Sequence, residues 1–436
     1  MCDLCAFFLR ALSLYRANVT ATLPGSMNRL ATTVVRCDPT SISFSSTSNQ
    51  PDVTSSETLD ALQAAAHRLS NLREIVAFPT ETVYGLGANA LDADSVSQIF
   101  RTKGRPADNP LIVHVSSLSM LRTLLPDEYR MPPSYEILMK HFWPGPLTLL
   151  FPRREGVIPH IVTASQPTVA IRMPSHPVAR ALIAFAGVPL AAPSANTSGK
   201  PSPTRAEHVL KDLEGKVGLI LDGGQCGVGL ESTVVDGLHE DGDIRILRPG
   251  GVTFEDITRV LKMDKTNNTI PRVLVHRRDY ADEAMEQAPT TPGMKYRHYS
   301  PIAPVTLLLT RPQSSSSSPL PVKAYLQSLQ ESHRTSSGKP VRVGVLAPED
   351  SDLWGCLLQE DRFEWHRYPL GLKDMPSTTA YRLFDGLITL DERGVDHIII
   401  EEVDEEREGL AVMNRVRKAA SDVRWVSFGA DGTPST

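Results

Sequence analysis

The chain has 436 residues, which is enough for two or three domains that each bury a core of their own. Hydrophobic residues make up 41% and charged residues 22%, as in ordinary globular proteins, and no run approaches the roughly 18 apolar residues that span a membrane. The formal net charge of −5 excludes the strong basic excess that drives tight, nonspecific binding to nucleic acids.

Residues 1–30 are basic and partly apolar, with three arginines against a single acid. This composition resembles a mitochondrial presequence, but a disordered extension, or a start at Met27, fits it equally well. The five cysteines are an odd and scattered set, and no second pair completes a zinc site around Cys2 and Cys5. Such a set indicates a reducing compartment. We therefore expect a cytoplasmic protein, with a mitochondrial form if residues 1–30 act as a presequence.

The first ordered element is predicted after a polar stretch over 37–56, which indicates a loop. Thr54 and Glu57 have the spacing of a capping box, and apolar residues at helical spacing then predict a helix to about Arg73.

From there, short apolar strands alternate with amphipathic helices. The predicted strands are 75–78, 111–115, 147–151, 168–171, 188–192, 217–221, 233–235 and 244–247. The predicted helices are 94–102, 177–186, 205–213 and 254–261. This alternation predicts an α/β domain with a mixed sheet over residues 31–263.

A polar stretch over 264–302 predicts a linker to a second, smaller α/β domain over 303–436. In that domain, strands are predicted at 304–309, 341–346 and 396–401, and helices at 378–390 and 409–420. The serine run at 314–318 and the polar stretch at 332–340 predict flexible interruptions.

Polar clusters stand where predicted strands and helices end. The first, PTETVYGLG over 79–87, combines hydroxyls with glycines that permit close backbone approach to a small polar ligand. The second, KGRPADNPL over 103–111, places Lys103 and Arg105 on a loop stiffened by two prolines, and such cations suit a polyphosphate. Taken singly, an ordinary glycine turn and a solvated helix end explain these clusters better.

Three further clusters follow the same pattern. TVAIRMP over 168–174 places Arg172 at the end of an apolar strand, APSAN over 192–196 is followed by Ser202, and EST over 231–233 precedes LRPGG over 247–251. Serine, asparagine and exposed amides bind phosphate or ribose without net charge. Each cluster alone is best explained as a satisfied turn, so the functional interpretation depends on their combination.

Several catalytic signatures are absent from the sequence. The Gly-Lys pairs at 199–200 and 338–339 are each followed by proline, so neither is a Walker A loop, and there is no HExxH or GxSxG. GLGANA over 85–90 matches the dinucleotide fingerprint in form, but no acid follows at about 20 residues. We therefore do not expect a Rossmann cofactor site there.

In their order and their residues, the five clusters resemble the YrdC-like domain of the threonylcarbamoyl-AMP synthase family. The resemblance covers about residues 57–262 and includes a KxR pair, Lys103 and Arg105, and an SxN triplet, Ser194 to Asn196. TPGMKYRHYSP over 291–301 is similar to the linker in the two-domain branch of that family. The resemblance implies a twisted mixed sheet with a concave active-site cavity, followed by a smaller Rossmann-like α/β domain.

Carried over residue by residue, the resemblance implies roles for particular positions. Threonine contacts are expected at Thr82, His114, Arg172, Ala192 and Ser232. ATP contacts are expected at Arg105, Asn109, Thr168, Ser194, Asn196, Ser202 and Arg248, and the catalytic cations are expected to be Lys103 and Arg105. Apart from the resemblance, the linker carries aromatic and cationic groups within five residues, namely Lys295, Tyr296, Arg297, His298 and Tyr299. This composition predicts a lid that closes over the site, with Tyr299 as its contact, and a tether docked on the second domain is the alternative. Two departures weaken the transfer: Thr291 stands where the linker often has serine, and 238–242 lengthens the stretch before Arg248.

The implied reaction joins L-threonine, bicarbonate and ATP into threonylcarbamoyl-AMP and pyrophosphate, for threonylcarbamoyladenosine modification of tRNA. Mg²⁺ is expected to arrive with ATP, without a metal ligand from the protein, and no general base is apparent. The product would pass to a tRNA threonylcarbamoyl transferase complex, whereas direct contact with tRNA is expected to be weak.

Two alternatives share this fold. A double-stranded RNA or tRNA-binding module would use the same cations as phosphate contacts, but the acidic net charge counts against it. A carbamoyl-transfer domain of the hydrogenase-maturation type would need zinc-finger and acylphosphatase-like neighbours, and the sequence contains neither.

Overall fold

The computed structural model describes residues 30–45, 50–263, 270–280, 282, 289–292, 298–311, 318–333, 339–357 and 360–428. Within these ranges the chain forms a large mixed sheet, a small hairpin and a second, parallel sheet. No helix in the described part is long and apolar enough to cross a membrane.

The first domain is built around the large sheet. Its strands and those of the hairpin are β1 Thr33–Arg36, β2 Ile42–Phe44, β3 Pro51–Val53, β4 Val76–Phe78, β5 Gly85–Asn89, β6 Ile112–His114, β7 Leu147–Pro152, β8 Thr168–Arg172, β9 Leu190–Ala191, β10 Leu219–Asp222, β11 Thr233–Asp236, β12 Ile244–Arg248 and β13 Val273–Val275. In the described residues the sheet order is β1-β10-β4-β5-β9-β6-β8-β7-β11-β12-β13, and β2 pairs with β3.

The strand register brings polar residues from separate clusters together. Strands β6 and β8 run parallel and place His114 opposite Arg172, while the antiparallel strand β7 places Thr148 opposite the same arginine. An isolated bridge joins Gly85 to Ser194. The ends of these strands therefore meet at one place on the sheet.

Helices cover both faces of this sheet. They are α1 Ser56–Ser70, α2 Ala93–Lys103, α3 Leu118–Leu124, α4 Pro133–Phe142, α5 His160–Thr163, α6 Pro177–Ala186, α7 Ala206–Leu213 and α8 Phe254–Met263. Helix α2 ends at Gly104, whose positive φ of 60° is the left-handed conformation that glycine adopts without steric cost. The reversal directs the following residue, Arg105, back toward the sheet.

The second domain is a parallel sheet with helices on both faces. Its strands are β14 Val305–Leu309, β15 Leu320–Pro321, β16 Val341–Ala347, β17 Phe363–Pro369, β18 His397–Glu401 and β19 Asp422–Ser427, in the order β15-β19-β14-β18-β16-β17. Its helices are α9 Val322–Ser332, α10 Leu353–Leu357, α11 Pro376–Glu392 and α12 Glu408–Ala419. All described strand pairs are parallel, as a buried run such as HIIIE in β18 favours. The predicted Rossmann-like α/β class is confirmed.

Some of the chain differs from the sequence prediction. The glycine-rich segment 85–89, predicted as a turn, is strand β5, which pairs antiparallel with β4 and β9. A Cβ on Gly87 would lie 2.6 Å from Cε1 of Phe78, so this glycine serves close ring packing rather than a turn. The predicted loop over 37–56 instead contains a 3-10 turn and the hairpin β2–β3, although its residues 46–49 lie outside the described part.

The predicted capping box is also wrong. Ser55, not Thr54, caps α1, because its hydroxyl accepts a hydrogen bond from the Thr58 amide at 3.2 Å. The Thr54 hydroxyl donates instead to the Ser41 carbonyl, which ties the hairpin to the helix start. The helix ends at Ser70 rather than near Arg73.

Strand β13 lies within the stretch that was predicted as linker. It pairs parallel with β12, so the first sheet extends to Val275. The predicted flexible runs lie mostly outside the described residues, except that Ser332 ends helix α9. The elements α3, α4, β17 and β19 were not predicted.

The two domains share a hydrophobic core. Val83 and Leu230 of the first domain and Tyr299 of the linker pack in one cluster with residues of α11 and α12. An ion pair of 2.7 Å joins Arg205 to Asp385 beside this cluster.

Candidate functional site

A cavity opens where the strand ends of the first domain meet the linker. Its wall contains residues from all five polar clusters and from both ends of the predicted lid. The lining residues are Thr80, Thr82, Val83, Gly85, Arg105, Ile112, His114, Arg172, Ala192, Pro193, Ser194, Glu231, Ser232, Arg248, Pro292, His298 and Tyr299. A concave site lined by a few convergent polar groups is typical of small-molecule sites.

Arg172 forms a rigid clamp at one end of the cavity. Its Nη1 donates to the Thr82 hydroxyl at 2.9 Å, its Nε donates to the Gly145 carbonyl at 3.2 Å, and its Nη2 lies 2.6 Å from Glu81 Oε1. Burial alone would raise the pKa of Glu81, but the Arg172 guanidinium lowers it, so the pair is ionised. The guanidinium plane is therefore fixed beside Thr82, where it can bind a carboxylate.

His114 stands next to Arg172 and is neutral at physiological pH. Burial and the neighbouring guanidinium lower its pKa to about 3, and its Nδ1 lies 3.2 Å from the Ile112 carbonyl oxygen. A neutral imidazole can donate or accept one hydrogen bond at its other nitrogen without repelling a nearby cation.

Arg248 also lines the cavity and donates mainly to backbone carbonyls. Its Nη2 donates to the Ser232 carbonyl at 2.9 Å and to the Ser232 hydroxyl at 3.2 Å, and its Nη1 donates to the Pro292 carbonyl at 3.0 Å. The Ser232 hydroxyl is also 2.7 Å from that of Thr148. Burial lowers the pKa of Arg248 only to about 10, so it keeps its charge.

Arg105 points into the cavity from the loop after α2. Its Nε donates to the Asn109 carbonyl at 3.1 Å and its Nη2 to the Pro110 carbonyl at 2.8 Å, so the loop folds around its own arginine. Burial, and then Arg248, lower its pKa to about 10, which still leaves it charged at neutral pH.

Lys103 does not line the cavity. Its ammonium is buried and donates to the Ser194 carbonyl at 2.5 Å and to the Asn196 carbonyl, which makes it a brace beneath the SxN turn. Burial and the charge of Arg105 lower its pKa well below the ordinary value. Lys103 and Arg105 were predicted to contact phosphate together. Of the two, only Arg105 lines the cavity in this structure.

Four of the predicted ATP contacts also lie outside the cavity wall. Asn109 holds Arg105 through its carbonyl, Asn196 donates to the Thr197 and Lys200 carbonyls, and Ser202 donates to Glu231 at 2.6 Å. Thr168 begins β8 and lies at the end opposite Arg172, about 13 Å along an extended strand. The predicted residues Thr82, His114, Ala192, Ser194 and Ser232 do line it.

Two acidic residues and one arginine of the site had no predicted role. Glu81 and Glu231 lie inside predicted clusters, but roles were predicted only for the hydroxyls and cations near them. Arg415 comes from α12 of the second domain, and its Nε donates to Glu231 at 3.1 Å. No local pattern marks Arg415, because only the docking of the domains brings it to the site.

The described linker residues Pro292, His298 and Tyr299 line the cavity. Tyr299 is 1% exposed and its ring lies 5.1 Å from that of Phe384 in the second domain. Burial and the Glu231 carboxylate raise its pKa to about 12, so the hydroxyl is protonated and can donate. The linker residues Lys295, Tyr296 and Arg297 lie outside the described part.

The cavity wall carries an excess of positive charge. Of the described lining residues, Arg105, Arg172 and Arg248 are cationic, while Glu231 is the acid among them. Buried charges are costly unless they are paired, so the excess favours an anionic ligand. The fold and the cavity thus define a two-domain α/β protein whose cavity favours anionic ligands.

Comparisons with known proteins agree with this class. Residues 71–250 match a family described as "Telomere recombination", and residues 252–421 match "Threonylcarbamoyl-AMP synthase, C-terminal domain". The threonylcarbamoyl-AMP synthase of Schizosaccharomyces pombe is 43% identical over 425 residues, which cover 90% of this chain and 98% of the relative. That of Bacillus subtilis is 42% identical, covering 83% and 94%.

A solved structure shows the same fold over most of the chain. The crystal structure of Pyrococcus abyssi Sua5 complexed with L-threonine is 37% identical, with a TM-score of 0.69 that covers 91% of this chain and all of that one. The chain belongs to the threonylcarbamoyl-AMP synthase family, in its two-domain form. The family and fold predicted from the sequence are confirmed.

Proposed function

We propose that this chain is a nucleotidyltransferase that makes threonylcarbamoyl-AMP from L-threonine, bicarbonate and ATP, with release of pyrophosphate. The observation that carries the proposal is one cavity holding a carboxylate clamp at Arg172 and two further guanidinium groups at Arg105 and Arg248. The clamp at Arg172 can bind the carboxylate of an amino acid, and the guanidinium groups of Arg105 and Arg248 can bind a triphosphate.

The threonine end is the wall formed by Thr82, His114, Arg172 and Ser232. Arg172 is the contact for the amino-acid carboxylate, because Glu81 and Thr82 already fix its orientation. The hydroxyl of Thr82 or Ser232 is the partner for the hydroxyl of threonine. Because these groups are buried, the site should reject an amino acid whose side chain has no hydroxyl.

The nucleotide end is the wall formed by Arg105, Ser194 and Arg248. Mg²⁺ would come with ATP and neutralise part of the phosphate charge. The described residues contain no group of three or more His, Cys, Asp or Glu side chains that could hold a metal ion, and Glu231 is already bound to Arg415. The phosphate oxygens are therefore its expected ligands.

The chemistry uses the residues for position and charge rather than for a covalent step. The amine of threonine adds to the carbon of bicarbonate, water leaves, and a carbamate results. A carbamate oxygen then bonds to the α-phosphorus while the bond to pyrophosphate breaks. Arg105 and Arg248 stabilise the charge that builds on the phosphoryl oxygens and the leaving group, and Arg172 holds the attacking carbamate in line.

The test is pyrophosphate release by the purified protein with ATP in the presence and absence of each other substrate. We expect release only when both threonine and bicarbonate are present, with little release when serine replaces threonine. Equal release with serine, or without an amino acid, would overturn the assignment of threonine.

The product would supply a tRNA threonylcarbamoyl transferase complex, and we place the reaction in the cytoplasm with a mitochondrial form from residues 1–30. Those residues lie outside the described part. A reporter fused to them should reach mitochondria in part, whereas a fusion that starts at Met27 should stay cytosolic. The alternative of an RNA-binding module gains no support, because its expected phosphate contacts Lys103, Arg105 and Arg248 are buried rather than displayed on a surface.

A further inference from the structure

We propose that Arg415, in the second domain, is a positioning residue for the nucleotide end of the cavity and acts through Glu231. The proposal rests on the function proposed above. It assigns to the second domain a direct part in shaping the site rather than only covering it.

Arg415 is buried at the junction of the two domains. Its side chain is completely inaccessible to solvent, and its Nε donates to Glu231 Oε2 at 3.1 Å. The other carboxylate oxygen of Glu231, Oε1, accepts from the Ser202 hydroxyl at 2.6 Å. Glu231 is thus fixed from both domains while it lines the cavity.

The same arginine holds the chain on the far side of Arg248. Its Nη1 donates to the carbonyl of Pro249, the residue that follows Arg248. Glu231 precedes Ser232, and the Ser232 carbonyl accepts two hydrogen bonds from Arg248, at 2.9 and 3.2 Å. Arg415 therefore binds both strand ends that set the position of the Arg248 guanidinium.

Charge complements this geometry. Glu231 is buried, which alone would raise its pKa, but Arg415 and then Arg248 lower that pKa to about 2. The centre of the Tyr299 ring lies 6.0 Å from the Arg415 guanidinium carbon, so the linker also contacts this cation. Loss of Arg415 would leave a buried carboxylate with Arg248 as its remaining strong partner, and would draw that guanidinium away from phosphate.

A simpler interpretation is that Arg415 only docks one domain on the other. A second ion pair provides the control. Arg205 Nε lies 2.7 Å from Asp385 Oδ1 across the same domain boundary, but neither residue lines the cavity. Removal of this pair tests how far the loss of a contact across the domain boundary changes the kinetics by itself.

The experiment compares Arg415→Met, Arg415→Lys, Glu231→Gln, the double variant Arg415→Met/Glu231→Gln, and Arg205→Ala. Each is assayed for pyrophosphate release with ATP and threonine varied in turn, and ATP binding is measured separately by calorimetry. The double variant leaves no uncompensated buried carboxylate, so it stays folded if the single Arg415→Met variant does not.

We expect Arg415→Met to raise the KM for ATP about tenfold or more while the KM for threonine changes less than about twofold. Arg415→Lys should recover part of the loss, because one ammonium can neutralise Glu231 but cannot also hold Pro249. The double variant should be no worse than the poorer single variant, since both act on one contact. Arg205→Ala should leave both KM values within about twofold of the wild type.

Two results would overturn the proposal: equal effects of Arg205→Ala and Arg415→Met, or an unchanged KM and affinity for ATP in Arg415→Met and in the double variant. Failure of the proposed function would look different. The wild-type protein would then release no threonine-dependent pyrophosphate, while calorimetry with ATP would still compare the variants.

Discussion

At the scale of single residues, Arg172 most constrains what the cavity can bind. Three of its nitrogens have fixed partners in Thr82, Gly145 and Glu81, so the guanidinium has one orientation. A lysine has a single point charge and cannot reproduce this fork.

Arg172→Lys should therefore raise the KM for threonine by roughly tenfold to hundredfold, corresponding to about 1.5–3 kcal/mol for a hydrogen bond to a charged group. The KM for ATP should change much less. Arg180→Lys is the matched control, because Arg180 packs over the Phe44 ring away from the cavity. Initial rates with threonine and ATP varied in turn measure both constants. An equal rise in both would contradict the assignment of Arg172 to the amino acid.

Arg105 belongs to the nucleotide end, and its truncation should affect the chemical step. Arg105→Ala should lower kcat/KM for ATP by tenfold to hundredfold, or on the order of 1.5–3 kcal/mol, because a charge-assisted contact to phosphate is lost. Arg101→Ala, an exposed change on the same helix end, is the control. Full activity of a folded Arg105→Ala protein would show that this loop is an ordinary helix end with no part in binding the nucleotide.

Lys103 shows where residue-level prediction reaches its limit. The sequence predicts a cation of the site on the loop after α2, but spacing cannot tell which of two nearby cations faces the cavity. The left-handed turn at Gly104 decides this, because it sends Arg105 to the cavity and leaves Lys103 under the carbonyls of Ser194 and Asn196. Thr168 is a similar case, since strand direction places it at the end of β8 away from Arg172.

At the scale of elements, the close approach of two backbone segments sets the geometry near Ser232. A Cβ on Gly250 would overlap the carbonyl oxygen of Glu231 and the backbone of Ser232 and Thr233. The turn after β12 can therefore pack here only with glycine.

Gly250→Ala should destabilise the protein by about 1–3 kcal/mol, because backbone must move to admit the methyl group. Gly227→Ala should be close to neutral, since no atom lies within 4 Å of the added Cβ there. Urea unfolding of both variants and the wild type measures the difference. Equal stability of the two variants would contradict the close packing at Gly250.

The elements that the sequence predicts well are those with a strong pattern and a clear end signal. Helix α6 has its predicted bounds, with a proline at its start and Gly187 in the left-handed conformation at its end. Strand β5 was missed because its small residues carry no apolar alternation, and its glycines serve the Phe78 ring instead of a turn. Strand β13 was missed because its three residues lie in a polar stretch.

At the scale of the whole molecule, residues of the linker line the cavity, and the second domain packs against that linker. Pro292 and His298 line the wall, and Tyr299 packs against both Glu231 and Phe384. Such long-range contacts could not be predicted from spacing, although the aromatic and cationic composition of the linker did suggest a lid over the site.

The lid remains a prediction, and limited proteolysis tests it. Cleavage between 292 and 301 should be slower when ATP and threonine are both present, because the ligands tie the lid to the cavity. Cleavage at an unrelated exposed site of the same sample is the internal control. A linker that is cut at the same rate with and without both ligands would be a tether rather than a lid.

The central claim is that one cavity joins three substrates, and isotope incorporation tests it most directly. The purified protein is incubated with ATP, threonine and ¹³C-bicarbonate, and the nucleotide products are identified by mass spectrometry. We expect one AMP adduct that contains one threonine and one ¹³C atom, formed in equal amount with pyrophosphate. An adduct of AMP with threonine but without the label, or release of AMP without any adduct, would contradict it.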